Sequence, residues 1–133
     1  MGQPAAKNSD QINATDTHIV IVPAGPAQIA TPLPHPFTGI INGGIVSTVK
    51  IGGQPAAVAG STAANTPAHL PTPPGVSFVK PPSNQATIQQ GSATVKIGGK
   101  PAARNGDVAM TCNDPVDAPV GTVIAAGTVS IGG

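Results

Sequence analysis

The sequence predicts an all-β fold, with short β hairpins set around a pseudo-threefold axis and closed by the two ends of the chain. Three observations predict it. STVKIGGQPAAVAGS at residues 47–61 aligns without a gap on ATVKIGGKPAARNGD at residues 93–107, a period of 46 residues (99 minus 53, from Gly53 to Gly99). A third copy is divided between the ends, with GTVSIGG at residues 127–133 and GQPAAKNSD at residues 2–10. Within every copy apolar residues alternate with polar ones, which is the period of a half-buried strand.

The divided copy can be completed only if the chain ends lie side by side, so the fold is expected to close on itself. In each copy Val49 and Ile51, Val95 and Ile97, or Val129 and Ile131 alternate with Thr, Lys or Ser. Three Val and three Ile are therefore expected to point inward in two layers. The Gly-Gly that follows permits positive φ, and the Pro after it stiffens the return into a corner that cannot sit in a central strand. The two Ala beyond are small enough for close approach. The connecting segments PAGPAQIATPLPHPF and TPAHLPTPPGVSFVKPPS hold too much Pro for helix and read as extended or turn backbone.

Composition agrees with a small, narrow core. The 133 residues include 17 Gly and 16 Pro, no Trp, no Tyr, and only Phe37 and Phe78 as aromatic carbocycles. Val, Ile, Ala and Pro must fill the interior without the area that aromatic side chains usually supply. A domain of this size gains from an added staple such as a metal. Gly and Pro at this density suit disorder as well, but the internal repetition argues against it.

Charge excludes several functions. Six Lys and Arg against five Asp and Glu leave a net charge of +1 and no basic stripe that could follow a run of phosphates, so nucleic acid is not an expected partner. The single Cys112 excludes an internal disulfide framework, and no apolar run approaches the roughly 20 residues of a membrane-spanning helix. No basic start followed by an apolar stretch marks a signal peptide. The chain is expected to be made as a soluble cytoplasmic protein.

His18, His35 and His69 are the only histidines, and with Cys112 they form the candidate metal set. Local spacing gives no metal motif. The repeats give one: His18 lies eight residues after Asp10 and His69 eight after Ser61, while Cys112 lies five after Asp107 in the third copy. Equivalent positions converge at an axis, and His35, in the Pro-His-Pro of the longest connecting loop, can supply a fourth ligand. Three imidazole nitrogens and a thiolate suit tetrahedral Zn²⁺, and a filled shell denotes a structural ion, one per chain.

GGKPAARNGD at residues 98–107, the two degenerate copies, the Pro-His-Pro at residues 34–36 and the His/His/His/Cys set together resemble the PAAR-repeat proteins, which tip the spike of contractile injection machines. The resemblance covers essentially the whole chain. It implies a small cone of β hairpins with zinc near its apex and a base seated on a trimeric, VgrG-like spike protein, one tip per trimer. It also implies a non-enzymatic, piercing role in a type VI secretion system or a related phage-tail-like particle. The tip would be assembled on the spike, touch the target membrane transiently, and be delivered out of the cell or into a target cell by the machine. Only the third copy spells Pro-Ala-Ala-Arg; Lys7 and Val58 stand at the position of Arg104, whose expected role is a local turn with Asp107. The repeats run from residue 2 to residue 133, so residues 1–133 are expected to be a single domain without a toxin extension, and any effector cargo would ride on a separate chain.

Two other classes fit less well. A cysteine-dependent hydrolase would use Cys112 as nucleophile, a histidine as base and Asp114 or Asp117 to orient it, but nothing like an oxyanion-hole motif surrounds Cys112. A β-solenoid surface or ice-binding protein would show short uniform coils, whereas here the period is long and the ends complete one another.

Overall fold

A computed structural model describes residues 2–132. The described residues form β1 (Gln3–Pro4), β2 (Gln11–Ala24), β3 (Ala27–Gly43), β4 (Val46–Ile51), β5 (Gln54–Ala56), β6 (Thr62–Asn65), β7 (Ser77–Phe78), β8 (Gln85–Ile88), β9 (Lys96–Ile97), β10 (Lys100–Pro101), β11 (Val108–Thr111), β12 (Ala118–Ile124) and β13 (Ser130–Ile131), with no helix among them. Six strands close into a barrel in the order β2, β3, β6, β8, β11, β12, because Gln11–Asn13 of β2 pair with Thr122–Ile124 of β12. Closure removes the open edges that a small sheet would otherwise present.

Three two-stranded hairpins stand at one end of this barrel. β4 pairs with β5 and β9 with β10, placing Ile51 opposite Gln54 and Ile97 opposite Lys100. Their Gly-Gly turns have φ of 56° and 86° at Gly52 and Gly53, and 60° and 81° at Gly98 and Gly99. That left-handed conformation is strained for any residue with a Cβ. The third hairpin is β13 with β1, in the same register with Ile131 opposite Gln3. The first and last strands thus meet as the two halves of the other two hairpins do, as the divided repeat requires.

The copies interlock through rings of backbone hydrogen bonds. Ala6 N–H donates to Ala103 O, Ala103 N–H to Ala57 O, and Ala57 N–H to Ala6 O, at 2.9, 3.1 and 3.0 Å. A second ring joins Asn8 to Pro55, Ala59 to Pro101 and Asn105 to Pro4, at 2.8–2.9 Å. Ala5, Ala56 and Ala102 are buried as one layer against Ile51, Ile97 and Ile131, and Ala6, Ala57 and Ala103 as the next. Three chain segments crossing at one axis leave room for nothing larger than a methyl group, which is why Pro-Ala-Ala is written three times.

The valine layer expected from the alternation does not form. Val49 and Val129 are exposed, and Val95 is only partly buried. The register shifts in β4 between Val46 and Lys50, and β9 and β13 are only two residues long, so strict alternation fails before it reaches the valines. Alanine takes their place as the second inward layer.

The turn after each Pro-Ala-Ala is closed by the residue three positions after Lys7, Val58 or Arg104. Lys7 N–H donates to Asp10 Oδ2 at 3.0 Å, Val58 N–H to Ser61 Oγ at 3.0 Å, and Arg104 N–H to Asp107 Oδ2 at 2.8 Å. Arg104 pairs with Asp107 at 3.0 Å, in the local role expected for it, and Lys7 pairs with Asp10 at 3.2 Å. Arg104 Nη1 also donates to Gly132 O at 3.2 Å, which ties the end of the third hairpin to the second half of its neighbour's repeat.

One hairpin is long. The Pro-rich stretch expected as extended or turn backbone lies inside a β2–β3 ladder of fourteen paired positions, and His35 is on β3 rather than in a loop. The ladder tolerates proline because of its phase. Pro34 and Pro32 stand opposite Thr17 and Ile19, whose N–H groups donate away from β3, to Asn113 Oδ1 at 2.6 Å and Asp114 Oδ2 at 2.9 Å. These are non-hydrogen-bonded pairs, so the donors that proline lacks would have faced outward.

Candidate metal centre

Each repeat sends one strand away from the alanine rings, and the three strands carry the candidate ligands to one place. β2 follows Asp10 and bears His18; β6 follows Ser61 and leads to His69; β11 follows Asp107 and ends next to Cys112. His35 faces them from β3. The ring centroids of His18, His35 and His69 are 5.0–5.6 Å apart, and all three rings are buried. Phe78 of β7 closes the site with its centroid 5.8 Å from His18 and 5.4 Å from His35.

Ligand atoms of His18, His69, Cys112 and Asp16 all lie within 4.8 Å of one another. Asp16 was not foreseen. Inward positions on β2 run Ile12, Asp16, His18 and Val20, so a charged residue in the phase of the core was the signal that could have marked it. Its fully buried carboxylate accepts from Thr111 Oγ1 at 2.5 Å, His69 Nε2 at 2.8 Å, Cys112 Sγ at 3.4 Å and Asn113 Nδ2 at 3.5 Å.

The histidines differ in what their nitrogens do. Both nitrogens of His18 are buried without a hydrogen-bond partner; Nδ1 approaches Asp114 Oδ2 to 3.5 Å but is not aligned for a bond. His35 Nδ1 faces Leu33 O at 2.8 Å, and its Nε2 accepts from Thr72 N–H at 3.1 Å. His69 turns Nε2 to Asp16, while its backbone N–H donates to Asn84 Oδ1 at 2.8 Å. The structure thus brings His18, His69 and Cys112 together in ligand reach and sets His35 beside them with Nε2 engaged elsewhere.

The electrostatics favour a cation. Burial, with Asp16 beside it, pushes the Cys112 thiol up to about 11, so without a positive charge nearby it stays protonated. Burial also lowers His18 and His35 below the ordinary imidazole value, which keeps them neutral and able to ligate. Two orphaned buried nitrogens on His18 cost stability unless something accepts their lone pair or proton. A divalent ion bound there would use the lone pair and stabilise the thiolate, so the donor set fits a metal.

An all-β fold of three interlocked repeats with a buried His/Cys/Asp cluster at the far end of the barrel defines a small, metal-competent β domain. The PAAR motif model matches residues 15–116, and the chain belongs to that family. No curated protein matches the chain.

Proposed function

We propose that this chain is the tip of a contractile injection apparatus, capping a trimeric VgrG-like spike with one copy per trimer. The carrying observation is the ring of Ala6, Ala57 and Ala103, because it gives one chain the rotational symmetry of three subunits below it. An asymmetric domain would leave two of three equivalent sites mismatched. The role is mechanical rather than enzymatic, and the domain travels out of the producing cell on its spike.

The metal serves the tip as a tie. His18, His35, His69 and Cys112 hold one structural Zn²⁺, with His35 Nε2 released from Thr72 when the ion binds. Support comes from the groups at the other nitrogen of the imidazoles: Leu33 O bonds His35 Nδ1 and Asp16 bonds His69 Nε2, while Asp114 Oδ2 stands 3.5 Å from His18 Nδ1. Metal-ligating histidines are characteristically fixed in this way by an outer acceptor. Asp16 then acts as the outer carboxylate of the site.

Mass measurement of the complex with a VgrG-like trimer tests the reading. One tip per trimer is expected, and three tips per trimer, or no complex, would overturn it.

A further inference from the structure

The segment that follows β6 is stapled to β3 at two places. Thr66 N–H donates to Thr38 O at 3.0 Å, while Thr72 gives its N–H to His35 Nε2 at 3.1 Å and its Oγ1 to Pro34 O at 2.7 Å. Between these staples lies a cleft of about 320 Å³, and its lining includes both His35 and His69. Thr66, Ala68 and Leu70 also line it and are exposed, so they form its rim. The cleft therefore runs from solvent to two imidazoles of the metal centre.

A second opening reaches the same centre and shares no lining residue with the cleft. It encloses about 60 Å³ between His18 and Cys112 on one side and Lys80 and Ser83 on the other. Charge does not separate the two openings, because Asp114 and Asp117 offset Lys80 at the smaller one. Size does. A divalent ion carrying six waters occupies on the order of 180 Å³, at about 30 Å³ per water, which fits the cleft and not the smaller opening. Burial of the clustered groups points the same way: Asp16, His18 and Cys112 are at most 2% exposed, whereas His69 is 8% exposed.

We propose that the cleft between β3 and residues 66–72 is the route by which a metal ion enters and leaves the centre, with His69 the first ligand it meets. The proposal rests on the metal reading above and deepens it, from which groups hold the ion to how the ion reaches them. His69 keeps Nε2 on Asp16 at 2.8 Å, so Nδ1 is the nitrogen left for a metal. The buried carboxylate of Asp16 stands behind that ring and draws a cation inward from the cleft. Imidazoles in the lining can then replace the waters of the ion one at a time, so that no step leaves it bare in an apolar passage. Because one passage serves both directions, obstructing it changes the rates of loading and release by the same factor and leaves the equilibrium affinity as it was.

The test uses the full chain stripped of metal by chelator, with cobalt(II) chloride as the probe and its visible absorption bands as the clock. Ala68→Trp, at an exposed position on the rim, should slow both the appearance of the bands and their loss to excess EDTA by roughly tenfold, with affinity unchanged. Thr66→Trp plugs the same rim from a second position and should do the same. Ser83→Trp, at the smaller opening, should keep the parent's rates. Parent-like rates in both rim variants would overturn the route, as would slowing in Ser83→Trp alone or a loss of affinity without slower loading. Each of those results leaves the metal site itself standing. A parent protein that never develops the bands would instead remove the site, and the route with it.

Discussion

Ala6 donates its backbone N–H to the carbonyl of Ala103 at 2.9 Å, although 97 residues separate them in sequence. Ala57 completes the ring, and the three methyl groups share the axis with no exposure to solvent. Extra methyl groups at this crossing have nowhere to go without parting the strands. Ala57→Val should destabilise the fold by about 1–3 kcal/mol, and the equivalent changes at Ala6 and Ala103 should cost similar amounts. Thermal or denaturant unfolding of the three variants checks this. Unequal costs, with one site neutral, would mean that the ring is not the symmetric keystone described.

Cys112→Ser should remove the only thiolate donor and lower both metal content and melting temperature. One zinc per chain is expected in the parent protein purified without added metal. Structural zinc contributes roughly 10 kcal/mol in domains that depend on it wholly, but here the alanine rings and the barrel bury apolar cores of their own, so the loss should be a few kcal/mol. A chelator should reproduce the effect in the parent and add little in the variant. Elemental analysis and paired melts decide, and a parent with no metal and no response to chelator would remove the ion from the proposal.

The metal-free protein should be most stable between about pH 6.5 and 9. Burial holds His18 and His35 below their ordinary 6.5, so below that pH the unfolded chain binds more protons and stability falls as acid is added. Burial raises Cys112 from an ordinary 9.0 to about 11, so above 9 the unfolded thiol ionises first and stability falls again. Denaturant midpoints across pH, measured in chelator, should trace this window. A midpoint that stays flat from pH 5 to 7 would contradict the buried, neutral state of the two histidines.

The repeats made the topology legible because symmetry leaves the same mark in sequence and in space: Gly53 and Gly99 mark equivalent turns, and the divided copy announced the β13–β1 pairing. Side-chain phase was less legible. Val49 and Val129 follow the same alternation as Ile51 and Ile131 yet face solvent, since a two-residue strand or a register shift cannot carry a phase that far. The long β2–β3 ladder was hidden by proline, whose cost depends on which way the missing N–H would point, and that is set by partners such as Asn113 and Asp114 far along the chain. Asp16 was hidden for the opposite reason: a lone acidic residue in a strand reads as solvent-facing until its neighbours Ile12, His18 and Val20 fix the phase.

Asp16 and His35 stand in contrasting positions at the metal centre, and their variants should separate outer from inner ligands. Asp16 is within ligand reach of His18, His69 and Cys112, but it already accepts hydrogen bonds from Thr111, His69, Cys112 and Asn113. His35 has only the Thr72 amide on Nε2. A carboxylate that orients ligands costs about 10–100-fold in metal affinity when lost, whereas loss of a ligand also changes the coordination sphere itself. Asp16→Asn should therefore bind metal more weakly but still one ion per chain, and its cobalt-substituted form should keep the parent's visible absorption bands, which report the geometry and donors around the ion. His35→Ala should shift those bands and weaken binding further. The reverse pattern, with the spectrum altered by Asp16→Asn and unchanged by His35→Ala, would make Asp16 the fourth ligand and leave His35 as packing against the site.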